Sequence, residues 1–96
     1  MRRIERSSAF KRDYKREAKG QHRTTLDEAL RSVIAALASD RPLEARYRDH
    51  PLSGELTEYR ECHVKPDLLL IYAKPDPHTL RLARLAFRLS DIPQVA

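Results

Sequence analysis

The chain has two glycines, one cysteine and no tryptophan among its 96 residues. No apolar run approaches the roughly 20 residues that a membrane-crossing helix needs. So little glycine excludes a collagen-like repeat, and 41% hydrophobic residues is too much for a disordered chain. Cys62 has no second cysteine for an internal disulfide. Met1-Arg2-Arg3 leads into Ile4-Glu5-Arg6 rather than an apolar stretch, so no secretory signal pattern opens the sequence. These absences point to a soluble, cytoplasmic protein with no membrane partner. The length allows one modest core, hence a single domain over residues 1–96.

What is present in excess is positive charge, and it is placed unevenly. The net charge is +5, yet residues 1–23 alone carry nine basic and three acidic side chains. The remaining residues sum to −1. Such a block raises the local concentration of a polyanion and speeds encounter in a salt-dependent way. Nucleic acid and an acidic protein both fit, as does a merely solvated helix face.

Periodicity supplies the elements. Arg3 to Arg6 alternates and predicts a short strand. Ser7 or Ser8 can cap a basic helix whose apolar stripe is Phe10, Tyr14 and Ala18, ending at Gly20 in a left-handed conformation. Leu26, Ala29, Leu30, Val33, Ile34 and Leu37 form the stripe of a second helix, with Thr25 and Glu28 at capping-box spacing and Ser39-Asp40-Arg41-Pro42 as its stop. Alternation over Tyr59–Val64 and the apolar run Leu68–Tyr72 predict two strands joined at Pro66-Asp67. Thr79–Phe87 predicts another. The expected fold is α+β: a helical hairpin packed on one face of a mainly antiparallel four-stranded sheet, in the order β-α-α-β-β-β.

That fold gathers particular chemistry. His63 ends one strand, Asp67 begins the next, and His50 reaches the same end from the loop before the sheet. Two imidazoles beside a carboxylate can supply an acid and a base near neutral pH. Arg60, Arg84 and Arg88 can bind a phosphate and stabilise its developing charge. The assembly suits RNA cleavage without a metal: the ribose 2′-hydroxyl is deprotonated, attacks phosphorus, and the leaving 5′ oxygen is protonated. Only RNA carries that hydroxyl. The same three groups can also be read as metal ligands, but the sequence has neither a helical His-x-x-x-His pair nor a Cys/His cluster. Alternation turns Cys62 away from His63, while Tyr59 shares a face with Glu61 and His63.

The segments Tyr47-Arg48-Asp49-His50-Pro51-Leu52-Ser53-Gly54 and Tyr59-Arg60-Glu61-Cys62-His63-Val64-Lys65-Pro66-Asp67-Leu68 resemble the YafQ branch of the RelE/ParE toxin superfamily. The resemblance implies a ribosome-dependent mRNA interferase that needs no cofactor or metal. It cuts messenger RNA in the ribosomal decoding site, beside ribosomal RNA, and is neutralised by a cognate, typically acidic antitoxin. Carried over by position, it implies catalytic His50, His63, Asp67, Arg84 and Arg88, with Tyr59, Arg60, Glu61 and Lys65 holding substrate. Glu61 stands where the family usually has aspartate. Arg88 stands where the family often has a C-terminal histidine, and an arginine holds charge but does not act as a base at neutral pH. Two alternatives are a ParE-type toxin that binds DNA gyrase and cuts nothing, and an RNA-binding module that has lost catalysis.

Overall fold

The computed structural model describes residues 1–20, 23–54 and 57–86. The predicted first strand is β1 (Arg3–Arg6), and Ser7 caps α1 (Ser8–Glu17), its hydroxyl accepting from the Phe10 amide at 2.9 Å. Phe10 is buried, and Tyr14 and Ala18 pack against the core, as their spacing requires. The end of α1 differs from expectation. Ala18 closes it in a right-handed conformation, and Gly20 is not among the left-handed positions.

Helix α2 (Leu26–Ala38) buries Leu26, Leu30, Val33 and Leu37, one face of a 3.6-residue period. Its capping box is absent: the Thr25 side chain makes no cap hydrogen bond, and its hydroxyl accepts from Lys65 Nζ instead. Beyond Ser39, Asp40 turns left-handed at φ 57°. Its carboxylate pins Arg2 and Lys74, each at 2.8 Å.

After a 3₁₀ turn at Ala45–Tyr47 come β2 (His50–Pro51), β3 (Tyr59–Lys65), β4 (Leu68–Ala73) and β5 (Thr79–Ala86). Among the described residues the sheet has five strands, not four, in the order β1-β5-β4-β3-β2. The added strand is the segment expected as a loop. His50 pairs with Glu61 and Pro51 with Arg60, so His50 sits on a short sheet edge, where proline is tolerated. β1 runs parallel to β5, and the other pairings are antiparallel. Phe87, expected to close the last strand, lies outside the described residues.

Both helices cover one face. There Phe10, Leu26, Leu30, Val33 and Leu37 meet Cys62, Leu68, Leu70, Tyr72, Leu80, Leu82 and Leu85. A register shift between Ile71 and Tyr72 keeps Leu85 on this face: Leu82 opposes Tyr72 and Leu85 opposes Leu70, with Ala83 and Arg84 between them. The opposite face carries a smaller cluster of Leu52, Ile71, Ala83 and Ala86, with Tyr59 against it.

Candidate active site

Strand alternation puts Tyr59, Glu61 and His63 on the face away from the helices, and the pairing of β2 with β3 sets His50 directly opposite Glu61. The two imidazoles share one carboxylate. His50 Nε2 lies 3.8 Å and His63 Nε2 3.6 Å from the same Glu61 Oε1. Each ring is held from behind. Nδ1 of His50 is 2.6 Å from the Arg48 carbonyl, and Nδ1 of His63 is 3.2 Å from that of Pro66. A carbonyl only accepts, so Nδ1 carries the hydrogen in both rings. Nε2, facing Glu61, is then the nitrogen whose lone pair is left over. Glu61 is buried at 7% exposure, whereas half of the His50 side chain meets solvent. The arrangement sets two imidazole nitrogens around one buried carboxyl group.

The edge carrying His50 is braced from the helix side of the sheet. Asp49 Oδ1 accepts from Tyr72 Oη at 2.6 Å and from Arg60 Nε at 3.2 Å. Arg60 thus faces away from Glu61 and His63, and it fastens the segment bearing His50. Burial first, then the hydrogen bond to Asp49, pushes the Tyr72 hydroxyl up. Cys62 lies on the same side and is fully buried. Burial, reinforced by the charges of Asp49 and Glu61, pushes its thiol up to about 12. It is no nucleophile at neutral pH.

The remaining expected residues are spread around this centre. Tyr59 packs on the small cluster that floors the site. Asp67 is exposed in the β3–β4 turn, next to the Pro66 whose carbonyl holds His63. Lys65 reaches Thr25 at the start of α2. Arg84 lies in the cross-strand row Glu61–Ile71–Arg84, about 10 Å from Glu61 at two strand spacings. Its guanidinium engages Asp13 of α1, Nε to Oδ2 at 2.7 Å and Nη2 to Oδ1 at 3.2 Å. Asp13 also accepts from the Leu85 amide at 3.0 Å and from Arg16 at 3.3 Å. Burial alone would raise its pKa, but these hydrogen bonds and charges outweigh it and hold the carboxyl below its ordinary value. Arg88 lies outside the described residues. Sequence reasoning did not single out Asp13 or Asp49; their partners become neighbours only once the strands pair.

Among the described residues, no group of three or more His, Cys, Asp or Glu side chains is disposed to hold a metal ion.

Comparison with known proteins shows the family. Residues 2–88 match the family model described as the bacterial toxin of type II toxin–antitoxin system, YafQ. The mRNA interferase toxin YafQ of Escherichia coli is 38% identical over 75 residues, spanning 76% of this chain and 82% of that protein. The fold is shared with a copper-bound mutant toxin from Helicobacter pylori, at a TM-score of 0.82, 30% identity and coverage of 96% of this chain and 99% of that one. It is also shared with a chain of the E. coli DinJ–YafQ toxin–antitoxin complex, at a TM-score of 0.76, 36% identity and coverage of 93% and 94%.

Proposed function

The chain belongs to the YafQ family of bacterial type II toxins, and from that membership we propose that it is a ribosome-dependent mRNA endoribonuclease that needs no metal. What carries the reading is the single carboxylate of Glu61 approached by the Nε2 atoms of two imidazoles whose Nδ1 atoms are tied to carbonyls. One imidazole, neutral at Nε2, takes the proton of a ribose 2′-hydroxyl. The 2′ oxygen attacks the adjacent phosphorus and the bond to the 5′ oxygen breaks, leaving a 2′,3′-cyclic phosphate. The other imidazole, protonated at Nε2, delivers its proton to the departing oxygen. Glu61 stabilises whichever ring is cationic. Asp67 orients this end of the site, and Tyr59 and Lys65 hold the RNA strand. Arg84 and Arg88 offset phosphate charge, and Arg60 contributes by holding the His50 segment in place. In the cytoplasm the activity is restrained by a cognate antitoxin, the kind of partner that the DinJ–YafQ complex represents for its own toxin.

The test is to express the wild type, His50→Ala and His63→Ala and to map mRNA 5′ ends. Translation-coupled cuts from the wild type alone are expected, with each substitution lowering cleavage about 10²-fold or more. Equal toxicity of all three proteins would overturn the nuclease and favour a gyrase-binding or purely RNA-binding toxin. Cleavage by purified ribosomes and toxin should persist in a chelator specific for transition metals; its loss would sink metal independence.

A further inference from the structure

Arg48 is left-handed, at φ 49° and ψ 42°, a conformation that an L side chain opposes and that neighbouring contacts must hold. The turn brings the Arg48 carbonyl onto Nδ1 of His50, two residues on, at 2.6 Å. Half of the His50 side chain is exposed, so packing alone restrains the ring little. Which nitrogen of a neutral imidazole carries the hydrogen is set by the bond the other nitrogen makes. Without the tie at Nδ1, the Glu61 carboxylate, 3.8 Å from Nε2, would draw the hydrogen to Nε2 and leave no lone pair there. The turn is held from the helix side of the sheet. The Arg48 amide donates to the Ala45 carbonyl at 3.0 Å, closing the 3₁₀ turn. The next residue, Asp49, is locked at Oδ1 by Tyr72 Oη at 2.6 Å and Arg60 Nε at 3.2 Å. Arg60 and Tyr72 stand directly opposite each other on β3 and β4, so their donors converge on one oxygen. Arg60 is long and 41% exposed, whereas Tyr72 is buried in the core, which makes its hydroxyl the fixed point.

We propose that Tyr72 is a positioning residue for His50: acting through Asp49, it holds the Arg48 carbonyl that keeps the imidazole hydrogen on Nδ1 and the lone pair of Nε2 towards Glu61. The peptide joining Arg48 to Asp49 carries that carbonyl, so fixing the Asp49 side chain fixes the acceptor. The consequence for cleavage rests on the nuclease reading above; the consequence for the imidazole does not. His63 takes its tie from Pro66, in the β3–β4 turn, and so lies outside the reach of Tyr72.

The test compares the full-length wild type with Tyr72→Phe, which keeps the ring in the core and removes only the hydroxyl, and with Asp49→Ala. Long-range proton–nitrogen correlation spectra at about pH 9, well above the ordinary imidazole range, report which ring nitrogen holds the hydrogen. Both histidines should show it on Nδ1 in the wild type. In each variant the His50 signals should move towards the Nε2–H pattern while those of His63 stay. Asp49→Asn, which keeps an acceptor for Tyr72, should hold His50 nearer the wild-type pattern than Asp49→Ala. On ribosomes carrying mRNA, Tyr72→Phe should lower the cleavage rate at saturating toxin about tenfold or more, with the half-saturating toxin concentration unchanged. His50 remaining on Nδ1–H in both Tyr72→Phe and Asp49→Ala would overturn the positioning role. So would His50 and His63 moving together, the mark of a generally loosened fold. The two ideas fail separately. A shifted His50 in the variants of a wild type that cuts nothing sinks the nuclease and leaves the positioning role. An unmoved His50 in the variants of a wild type that cuts sinks the positioning role alone.

Discussion

At the scale of single residues, the carboxylates do most to organise this molecule, and they divide between site and scaffold. Glu61 faces two imidazoles, so Glu61→Gln keeps the shape and removes the charge that stabilises an imidazolium. Cleavage should fall about 10²-fold with an unchanged far-ultraviolet spectrum, and Glu61→Asp, which keeps the charge on a shorter side chain, should keep more activity than Gln. Asp13 is the scaffold counterpart. Asp13→Asn leaves Arg84 and the Leu85 amide without their anionic acceptor, a loss of about 3 kcal/mol readable as a lower urea midpoint. Its depressed pKa fixes the sign of the pH dependence. The contribution is full above the unfolded carboxyl value near pH 4 and fades as pH falls through the lower folded value. The gap between wild type and Asp13→Asn should therefore narrow from pH 5 towards pH 2. A gap independent of pH would remove the charge argument. Cys62, with its thiol raised to about 12, should resist iodoacetamide in the native state at pH 8.

At the scale of elements, the joints decide what periodicity leaves open. Ser7 caps α1 and donates to the Ala83 carbonyl at 2.7 Å, tying the helix start to the stretch of β5 where the register shifts. Ser7→Ala should cost about 1–2 kcal/mol, more than an ordinary exposed cap, seen as a lower midpoint with an unchanged m-value. The stripes of α1 and α2 and the run Leu68–Tyr72 were legible because each repeats a simple period. β2 was not: two residues, one of them proline, form no pattern, and only the partner strand makes them a strand. The capping box was misleading for a related reason. Thr25 and Glu28 have the right spacing, but Lys65, forty residues away in sequence, occupies the hydroxyl. The candidate site divides the same way. His50 and His63 were legible from the motif, but the carboxylate expected between them was Asp67, whereas the one facing both rings is Glu61, set opposite His50 by the pairing of β2 with β3. The Asp49–Arg60–Tyr72 brace and the hold of Asp13 on Arg84 likewise depend on strand pairings and a register shift that no local window contains.

At the scale of the whole molecule, folding makes the charge of α1 more one-sided than its sequence. Both acids of that helix, Asp13 and Glu17, are buried, whereas Lys11, Arg12, Lys15, Arg16 and Lys19 are exposed. Arg16 is partly committed inward, pairing with Asp13 and Glu17 and donating to the Leu85 carbonyl at 3.0 Å. Lys11, Arg12, Lys15 and Lys19 are left to form a cationic surface on α1. An acidic antitoxin would be drawn to this surface, and exposed charges act chiefly on the rate of encounter. Reversing Lys11 and Lys15 together to glutamate should lower the association rate of the antitoxin about tenfold or more at 50 mM salt. The dissociation rate should change far less, and the wild-type advantage should shrink as salt rises past the point where the Debye length falls below about 10 Å. Stopped-flow binding over a salt series reads both rates. Equal association rates for the two proteins at low salt would show that the antitoxin approaches through another surface.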